Sequence, residues 1–522
     1  MSEELAPILV DGRWRAADAC STFASTNPST GETLPGVYPV SRWADLDAAL
    51  DAASTAFELM QDLPVESFAS FLEGYANMLE SSIAELAKLA EEETALPATT
   101  RLRKVELPRT CNQLRLAAKA ARVGEWALPT IDTGADLRSM HVPVGPVAVF
   151  GPNNFPFAYH GIAGGDFAAA VAVGNPVIAK AHPLHPGTSR RLAELCKDAL
   201  DASDLPPAAV QFVYHFENDD GLRLVADARI GASGFTGSRK GGMALKAAAD
   251  QAGKPIYLEM SSVNPVVLLP GALAAKTEAL IDDYVQSCLL GVGQFCTNPG
   301  LTFMTRGEAA DRWIDGVKAR FEDAPPGVLF AKSSVESLAA GVADLQASGA
   351  TLVTGGDIVE GVACRFANTL LRVDGPAFLR DAAGLQSEVF GNCGLVVVCE
   401  NVDQLLACLR LLDGNLTGSI YSERGDDYQA VEKVLRHRVG RLINDHMPTG
   451  VAVSPAQMHG GPYPSSGHGG FTAVGPPACL RRFSQLRCYD NVDNDRLPPL
   501  LRDENLFGGF RYVDGVWTDR SL

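Results

Sequence analysis

Apolar residues return every three to four positions across residues 43–123. The stretch LEGYANMLESSIAELAKLAEEETAL, residues 72–96, shows this period most plainly, with charges on the opposite side. Such spacing predicts helices, because a helix turns once in 3.6 residues. The pattern then changes to short β-rich runs separated by Ala-rich helical stretches. Strands are expected at Pro146–Phe150, Val177–Lys180, Val210–Tyr214 and Ile230–Phe235. Helices are expected at Ala163–Val173, Thr188–Ala202, Leu222–Ala228 and Ser238–Ala252. This alternation makes βαβ units and a doubly wound parallel sheet, whose ligands sit at the carboxyl ends of the strands. A second alternation follows. It has strands at Val266–Leu269, Leu301–Thr305 and Gly394–Cys399 and helices at Lys276–Leu290 and Val335–Gly349. The fold class is α/β. Residues 447–476, rich in Gly, Pro, Ser and His, read as a long loop of the kind that often carries function. CLRRFSQLRCY, residues 479–489, reads as a strand or a subunit contact.

Length and composition narrow the class. A chain of 522 residues exceeds one core, so two or three domains are expected. Forty-four basic and 62 acidic residues leave a net charge of −18, which argues against nucleic acid and anionic membranes as partners. The apolar stretch at 161–179 is broken by Gly, Asp, Asn and Pro and reads as no membrane span. The first residues carry no apolar signal core. Eleven cysteines are scattered without a CxxC pair, which suits free thiols in a reducing cytoplasm. Nine histidines include no HExxH and no Cys/His zinc spacing, so no metal is expected. The neighbouring pairs His182/His185 and His459/His468 read as solvated or satisfied.

Five motifs bear on chemistry. Cys296 lies in GVGQFCTNPG (291–300), a glycine-flanked apolar segment compact enough to lie against a ligand, and a thiol is a strong nucleophile near neutral pH. Taken alone it reads equally as a buried structural cysteine. GPNNFPF (151–157) follows directly on a strand, and its two prolines stiffen a loop holding Asn154, a potential oxyanion donor. FTGS (235–238) closes a strand and opens a helix, where Ser238 can cap and backbone N–H groups attract phosphate. Two acids stand in apolar surroundings. Glu259 ends the strand PIYLEM and suits a general base. Glu388, in QSEVFG (386–391), suits acceptance of ribose hydroxyls.

In this order and at these separations the motifs resemble the aldehyde dehydrogenase superfamily, over roughly residues 8–515. GGD at 164–166, KAHPLHPGT at 180–188, GVGQFCTNPG at 291–300 and HGGPYPSS at 459–466 look like one subgroup. It contains the NADP-linked fatty-aldehyde and 2-oxoglutarate-semialdehyde dehydrogenases. The resemblance implies a Rossmann-type NAD(P)-binding domain (1–131 and 144–256), an α/β catalytic domain (257–446) and a small β oligomerisation element (132–143 and 472–495). It implies Cys296 as nucleophile, Asn154 with the Cys296 N–H as oxyanion hole, and Glu259 as the base that activates water on a thioester. The cofactor set is Lys180, His182, Gly237, Ser238, Glu388 and Phe390, with Lys180 near the adenosine and Glu388 near the nicotinamide ribose. Phe155, Tyr159, Ile162 and Phe295 would line the substrate tunnel, with His160 a further polar candidate. A homodimer or homotetramer is implied, with the segments near 132–143 and 479–489 pairing across subunits.

Three departures from the family pattern matter. Pro183 stands where many NAD-linked members carry Glu, and Asn218 where NADP-linked members carry Arg. A 2′-phosphate would then look to Lys180 and His182, which tilts the cofactor to NADP with NAD also usable. Ser261 replaces a glycine two residues after Glu259 and is expected to alter that carboxylate's swing. No arginine stands out against a substrate carboxylate, so aliphatic, aromatic and semialdehyde substrates all remain open. CoA-acylating chemistry and an inactive structural homologue are the alternatives; Glu259 argues against the first and the intact Cys296, Asn154 and Glu259 against the second. Cys296 is expected to label faster than the other ten thiols.

Overall fold

The computed structural model of the protein describes residues 4–522. Two seven-stranded sheets carry it. In the first, the order is Ile256–Glu259, Ala232–Thr236, Val147–Phe150, Val177–Lys180, Val210–Val213, Ile8–Val10, Arg13–Arg15. The first five are parallel, and the last two join antiparallel at the edge. The parallel strands are mostly buried, as expected when helices cover both faces. Their register brings Phe150 level with Lys180 and with Phe235, and Thr236 level with Glu259. Lys180, the GPNNFPF loop, the FTGS turn and Glu259 therefore emerge side by side at one carboxyl edge.

The second sheet has the order Thr351–Thr354, Thr369–Asp374, Cys393–Cys399, Leu301–Thr305, Val266–Leu268, Asn415–Tyr421, Val439–Asn444. All neighbours are parallel except the first pair. Cys296 sits on the loop that enters its strand Leu301–Thr305. The loop 447–476 contains neither helix nor strand, as the Gly/Pro content predicts.

The region 43–123 is helical but not uniformly so. Four α-helices, Trp43–Met60, Val65–Ser81, Ile83–Thr94 and Leu107–Val123, are interrupted by a π-helical stretch Ala98–Glu106. Pro97 and Pro108 flank that stretch, and both remove backbone donors from the ordinary helical ladder. Periodicity alone does not predict the interruption.

The segments expected to pair across subunits instead pair with each other within the chain. Ser484–Asp490 runs antiparallel to Leu137–Pro143 along all seven residues of each. Their sheet also takes in Thr130–Asp132, Arg511–Val513 and Val516–Thr518, with Ser484–Asp490 at its edge. Among the described residues, no helix is long and apolar enough to cross a membrane.

Candidate active site

Left-handed backbone builds the cysteine loop. Gly291, Val292 and Gly293 have φ of 55°, 59° and 67°. A side chain at Gly293 would place its Cβ 2.1 Å from the Gly391 carbonyl oxygen, so only glycine fits. Val292 is β-branched and adopts this region at a cost of order 1–3 kcal/mol. The loop is then pinned from several sides. Asn264 Nδ2 donates to the Cys296 carbonyl at 2.8 Å and to that of Asn298 at 2.9 Å. Phe330 N donates to Gln294 Oε1 at 3.1 Å. Asn154 Nδ2 donates to the Gln294 carbonyl at 3.0 Å. An amide nitrogen carries two protons, so that bond fixes the rotamer of Asn154 and leaves a second donor. The Cys296 N–H donates to no protein acceptor among the described residues.

Around Cys296 Sγ the structure gathers two further groups. His459 Nε2 lies 3.5 Å from the sulfur and 3.0 Å from Glu259 Oε1. Both side chains are almost fully buried, and Glu259 Oε2 has no hydrogen-bond partner among the described residues. Burial pushes the Cys296 thiol well above its ordinary range, and the Glu259 carboxylate adds to the shift. The role of His459 was missed in the sequence. It belongs with Glu259 and Cys296, whereas His468 packs on Tyr257. Among the other ten cysteines, Cys20 and Cys488 are exposed.

Cys296 lies between two chambers. One, of about 530 Å³, is lined by Phe155, Tyr159 and Phe295 together with Arg101 and Arg109. The three rings pack edge to face, with centroids 5.1 Å apart for Phe155–Tyr159 and 5.5 Å for Phe155–Phe295. Ile162, expected in this wall, lies in the core beneath the first sheet, fully buried, and lines no chamber. His160 is likewise turned away, with Nε2 2.8 Å from Ser189 Oγ.

The arginines come from the interrupted helical region. Arg101, on the π-helical stretch, pairs with the buried Glu106 at 2.7 Å and lies over the Phe155 ring at 4.5 Å. Arg109 donates from Nη2 to the Tyr159 hydroxyl at 2.8 Å and from Nε to Gln113 at 3.3 Å. It makes no ion pair among the described residues. The sequence singles out no arginine for this region, whereas the structure places both in the wall of the chamber that reaches Cys296. On a helix already rich in surface charge, neither arginine stands out.

The second chamber, of about 600 Å³, is lined by Asn154, Glu259, Cys296, Glu388 and Phe390. A third, of about 700 Å³, is lined by Lys180, His215, Asn218 and Lys240. These two share a wall of Gly237, Ser238 and His182. Ser238 caps the helix Arg239–Gln251, accepting from Gly241 N at 3.2 Å, so the helix N-terminus faces the junction of the chambers. A dinucleotide fits this arrangement: two chambers joined at an anion-attracting turn, with His215 Nδ1 buried and without a partner at the far end. Lys180 Nζ donates to the Ala181 carbonyl at 3.0 Å, and burial lowers it to about 8. His182 is present in the wall but uncharged. Burial and the neighbouring His185 hold it well below the usual histidine range, and its Nδ1 accepts from Leu184 N. It offers no positive charge to a phosphate.

Glu388 accepts from Ser262 N at 3.2 Å and is pushed up to about 7 by burial, with the Ser261 hydroxyl bond working the other way. Ser261 thus acts on Glu388, a contact that a glycine at this position would lack.

Comparison with known proteins agrees with this geometry. A family model described as "Aldehyde dehydrogenase family" matches residues 14–488. The chain is 36% identical to alpha-ketoglutaric semialdehyde dehydrogenase 2 of Azospirillum brasilense, covering 97% of this chain and 98% of that one. It is 35% identical to the alpha-ketoglutaric semialdehyde dehydrogenase of Acinetobacter baylyi, covering 99% and 100%. In fold it is similar to an aldehyde dehydrogenase from Bacillus cereus in complex with NAD+, with a TM-score of 0.81, 21% identity and coverage of 93% and 96%. Full-length identity, the family match and chambers that meet at a cysteine converge, and the chain belongs to the aldehyde dehydrogenase family, as an NAD(P)+-dependent oxidoreductase that oxidises aldehydes.

Proposed function

We propose that this enzyme oxidises a short semialdehyde bearing a distal carboxylate, of the 2-oxoglutarate-semialdehyde type, to the corresponding diacid. The observation that carries this is Arg109, a guanidinium without a carboxylate partner in the aromatic chamber that ends at Cys296. A planar fork of donors suits a carboxylate, and an unpaired charge in such a wall gains most when an anion arrives. The names of the two relatives over 35–36% identity support the same class.

The roles follow from position. The Cys296 thiol gives its proton to the Glu259–His459 pair and attacks the carbonyl carbon. Asn154 and the Cys296 N–H receive the alkoxide, which a dry site would otherwise disfavour. The cofactor, when bound, accepts the hydride. Loss of hydride leaves a thioester on Cys296. Glu259 then takes a proton from water, which attacks the thioester, and the carboxylate product leaves as the thiolate is restored. The balance is RCHO + H2O + NAD(P)+ → RCOO⁻ + NAD(P)H + 2 H+. Lys180 and Lys240 would hold the adenosine side, Ser238 and Gly237 the pyrophosphate, and Glu388 with Phe390 the nicotinamide side. Lys180 carries the 2′-phosphate contact without help from Asn218 or His182, so both cofactors are used. The first-sheet, second-sheet and small-sheet regions are read as cofactor, catalytic and oligomerisation domains of a cytoplasmic homo-oligomer.

The test is an absorbance screen of aldehydes with and without a distal carboxylate, run with NAD+ and NADP+ in parallel. The highest kcat/KM is expected for a five-carbon semialdehyde acid. Equal or better turnover of uncharged aldehydes of the same length would reject the substrate class.

Cofactor affinity is expected to depend on pH with two limbs. Glu388 must be ionised to accept ribose hydroxyls, so binding weakens as pH falls through about 7. Lys180 must be protonated to attract phosphate, so binding weakens as pH rises through about 8. Fluorescence titration with NAD(P)H between pH 6 and 9 should show a maximum between these values. The Glu388→Gln variant should lose the acid limb and keep the alkaline one.

A further inference from the structure

The same three groups that perform the chemistry also satisfy the donor set of a zinc ion. We propose that Cys296 Sγ, His459 Nε2 and Glu259 form a site for a soft or borderline divalent cation, Zn2+ or Cd2+, that switches the enzyme off reversibly. All three donor atoms lie within 4.8 Å of one another. Ordinary zinc bond lengths at tetrahedral angles put sulfur and nitrogen about 3.5 Å apart. The observed Sγ–Nε2 distance is 3.5 Å, and Nε2–Oε1 is 3.0 Å. The second oxygen, Glu259 Oε2, is buried and without a hydrogen-bond partner among the described residues, so it is available to a metal.

The donor chemistry selects the ion. Sulfur and imidazole nitrogen favour zinc and cadmium over magnesium and calcium, which prefer all-oxygen sets. Three protein ligands leave a fourth position for water, and Cys296 and Glu259 both line the second chamber. On binding, the S–H bond breaks and an S–Zn bond forms. The thiol proton passes to solvent, and the proton that His459 Nε2 shares with Glu259 Oε1 is given up to solvent while Nδ1 holds the imidazole's remaining proton, so that hydrogen bond breaks as the N–Zn bond forms. No electrons are exchanged, so a chelator reverses the step. A metal there occupies the nucleophile and the water-activating base together, and neither half of the reaction can proceed. No sequence pattern announces the site, because its donors are 163 and 200 residues apart along the chain.

The experiment uses the full chain, freed of metal with a chelator, without aldehyde or cofactor. Its outcome is therefore independent of the substrate class proposed above. Isothermal titration with ZnCl2 should show one tight site per chain. Co2+ should give a thiolate charge-transfer band, lost in the Cys296→Ser variant. His459→Ala should weaken Zn2+ binding at least 100-fold, whereas the Cys20→Ser/Cys488→Ser double variant should bind as the parent does. If His459→Ala fails to fold, as judged by circular dichroism, the unmutated protein decides: zinc should protect Cys296 from iodoacetamide, and EDTA should restore labelling. Weak or non-stoichiometric binding, or no protection of Cys296, overturns the proposal. So does tight binding retained in a folded His459→Ala protein.

Discussion

Replacing Glu259 with Gln is expected to lower steady-state turnover about 10³-fold while sparing the first turnover, since a positioned general base contributes roughly 10²–10⁴. Glu259 ends the strand Ile256–Glu259 and is nearly inaccessible, so Gln fits the same space. His459 Nε2, 3.5 Å from the sulfur, remains to take the thiol proton. Acylation and hydride loss can therefore still occur, but water attacks the thioester without a base. Stopped-flow absorbance should show one equivalent of NAD(P)H per chain in a burst, followed by a stall, and intact-protein mass spectrometry should find the acyl group on Cys296. Cys296→Ala should remove both phases. A variant with no burst would show that His459 without the Glu259 carboxylate does not suffice for acylation. Acyl-CoA formed by the parent enzyme in preference to acid would replace hydrolysis with CoA transfer as the fate of the thioester.

The second large effect concerns Arg109. Arg109→Met keeps the aliphatic stem and removes the charge. A hydrogen bond to a charged group is worth about 1.5–3 kcal/mol, so kcat/KM for a carboxylate-bearing semialdehyde should fall roughly 10- to 150-fold. For an uncharged aldehyde of equal length it should hold or rise, because the chamber becomes more apolar. Paired measurement of the two substrates separates recognition from damage. A parallel fall in both would show that Arg109 supports Tyr159, to which it donates at 2.8 Å, rather than the substrate. Arg101 serves as an internal contrast, since it is already paired with Glu106.

Much of the scaffold could be read in advance. The strands of the first sheet are short apolar runs with turn residues behind them, and Cys296, Asn154 and Glu259 each stand in a motif whose local chemistry is visible. The structure brings those three around one chamber. What escaped the sequence shares a physical cause. Arg101 and Arg109 look like solvated helix charges, because periodicity reports which side of a helix is apolar, not which cavity its polar side meets. Arg101 lies on the π-helical interruption at Ala98–Glu106, which no simple repeat announces, and Arg109 on the first turn of the helix that follows it. His459 sits in a Gly/Pro loop without periodicity, and long-range contacts place it: the bridge between Glu259 and Ser466 ties the loop to the base's strand, and His459 N donates to Thr472 Oγ1. Ile162 failed in the other direction: an apolar residue near a tunnel reads the same whether it lines the wall or lies behind it. The small sheet was legible as β-prone segments, but which strand would be its partner was not.

The chamber proposed for the aldehyde and the neighbouring one proposed for the cofactor have one lining residue in common, Cys296. This has a consequence for descent. Substitutions that remodel the aromatic and arginine wall touch nothing that holds the dinucleotide, and changes at Asn218 or Pro183 touch nothing that grips the aldehyde. Effects at separated sites tend to add. A lineage can therefore try new substrates without relearning its redox partner, or exchange the redox partner while keeping its substrate. One sulfur atom must satisfy both histories, and it is the part least open to revision.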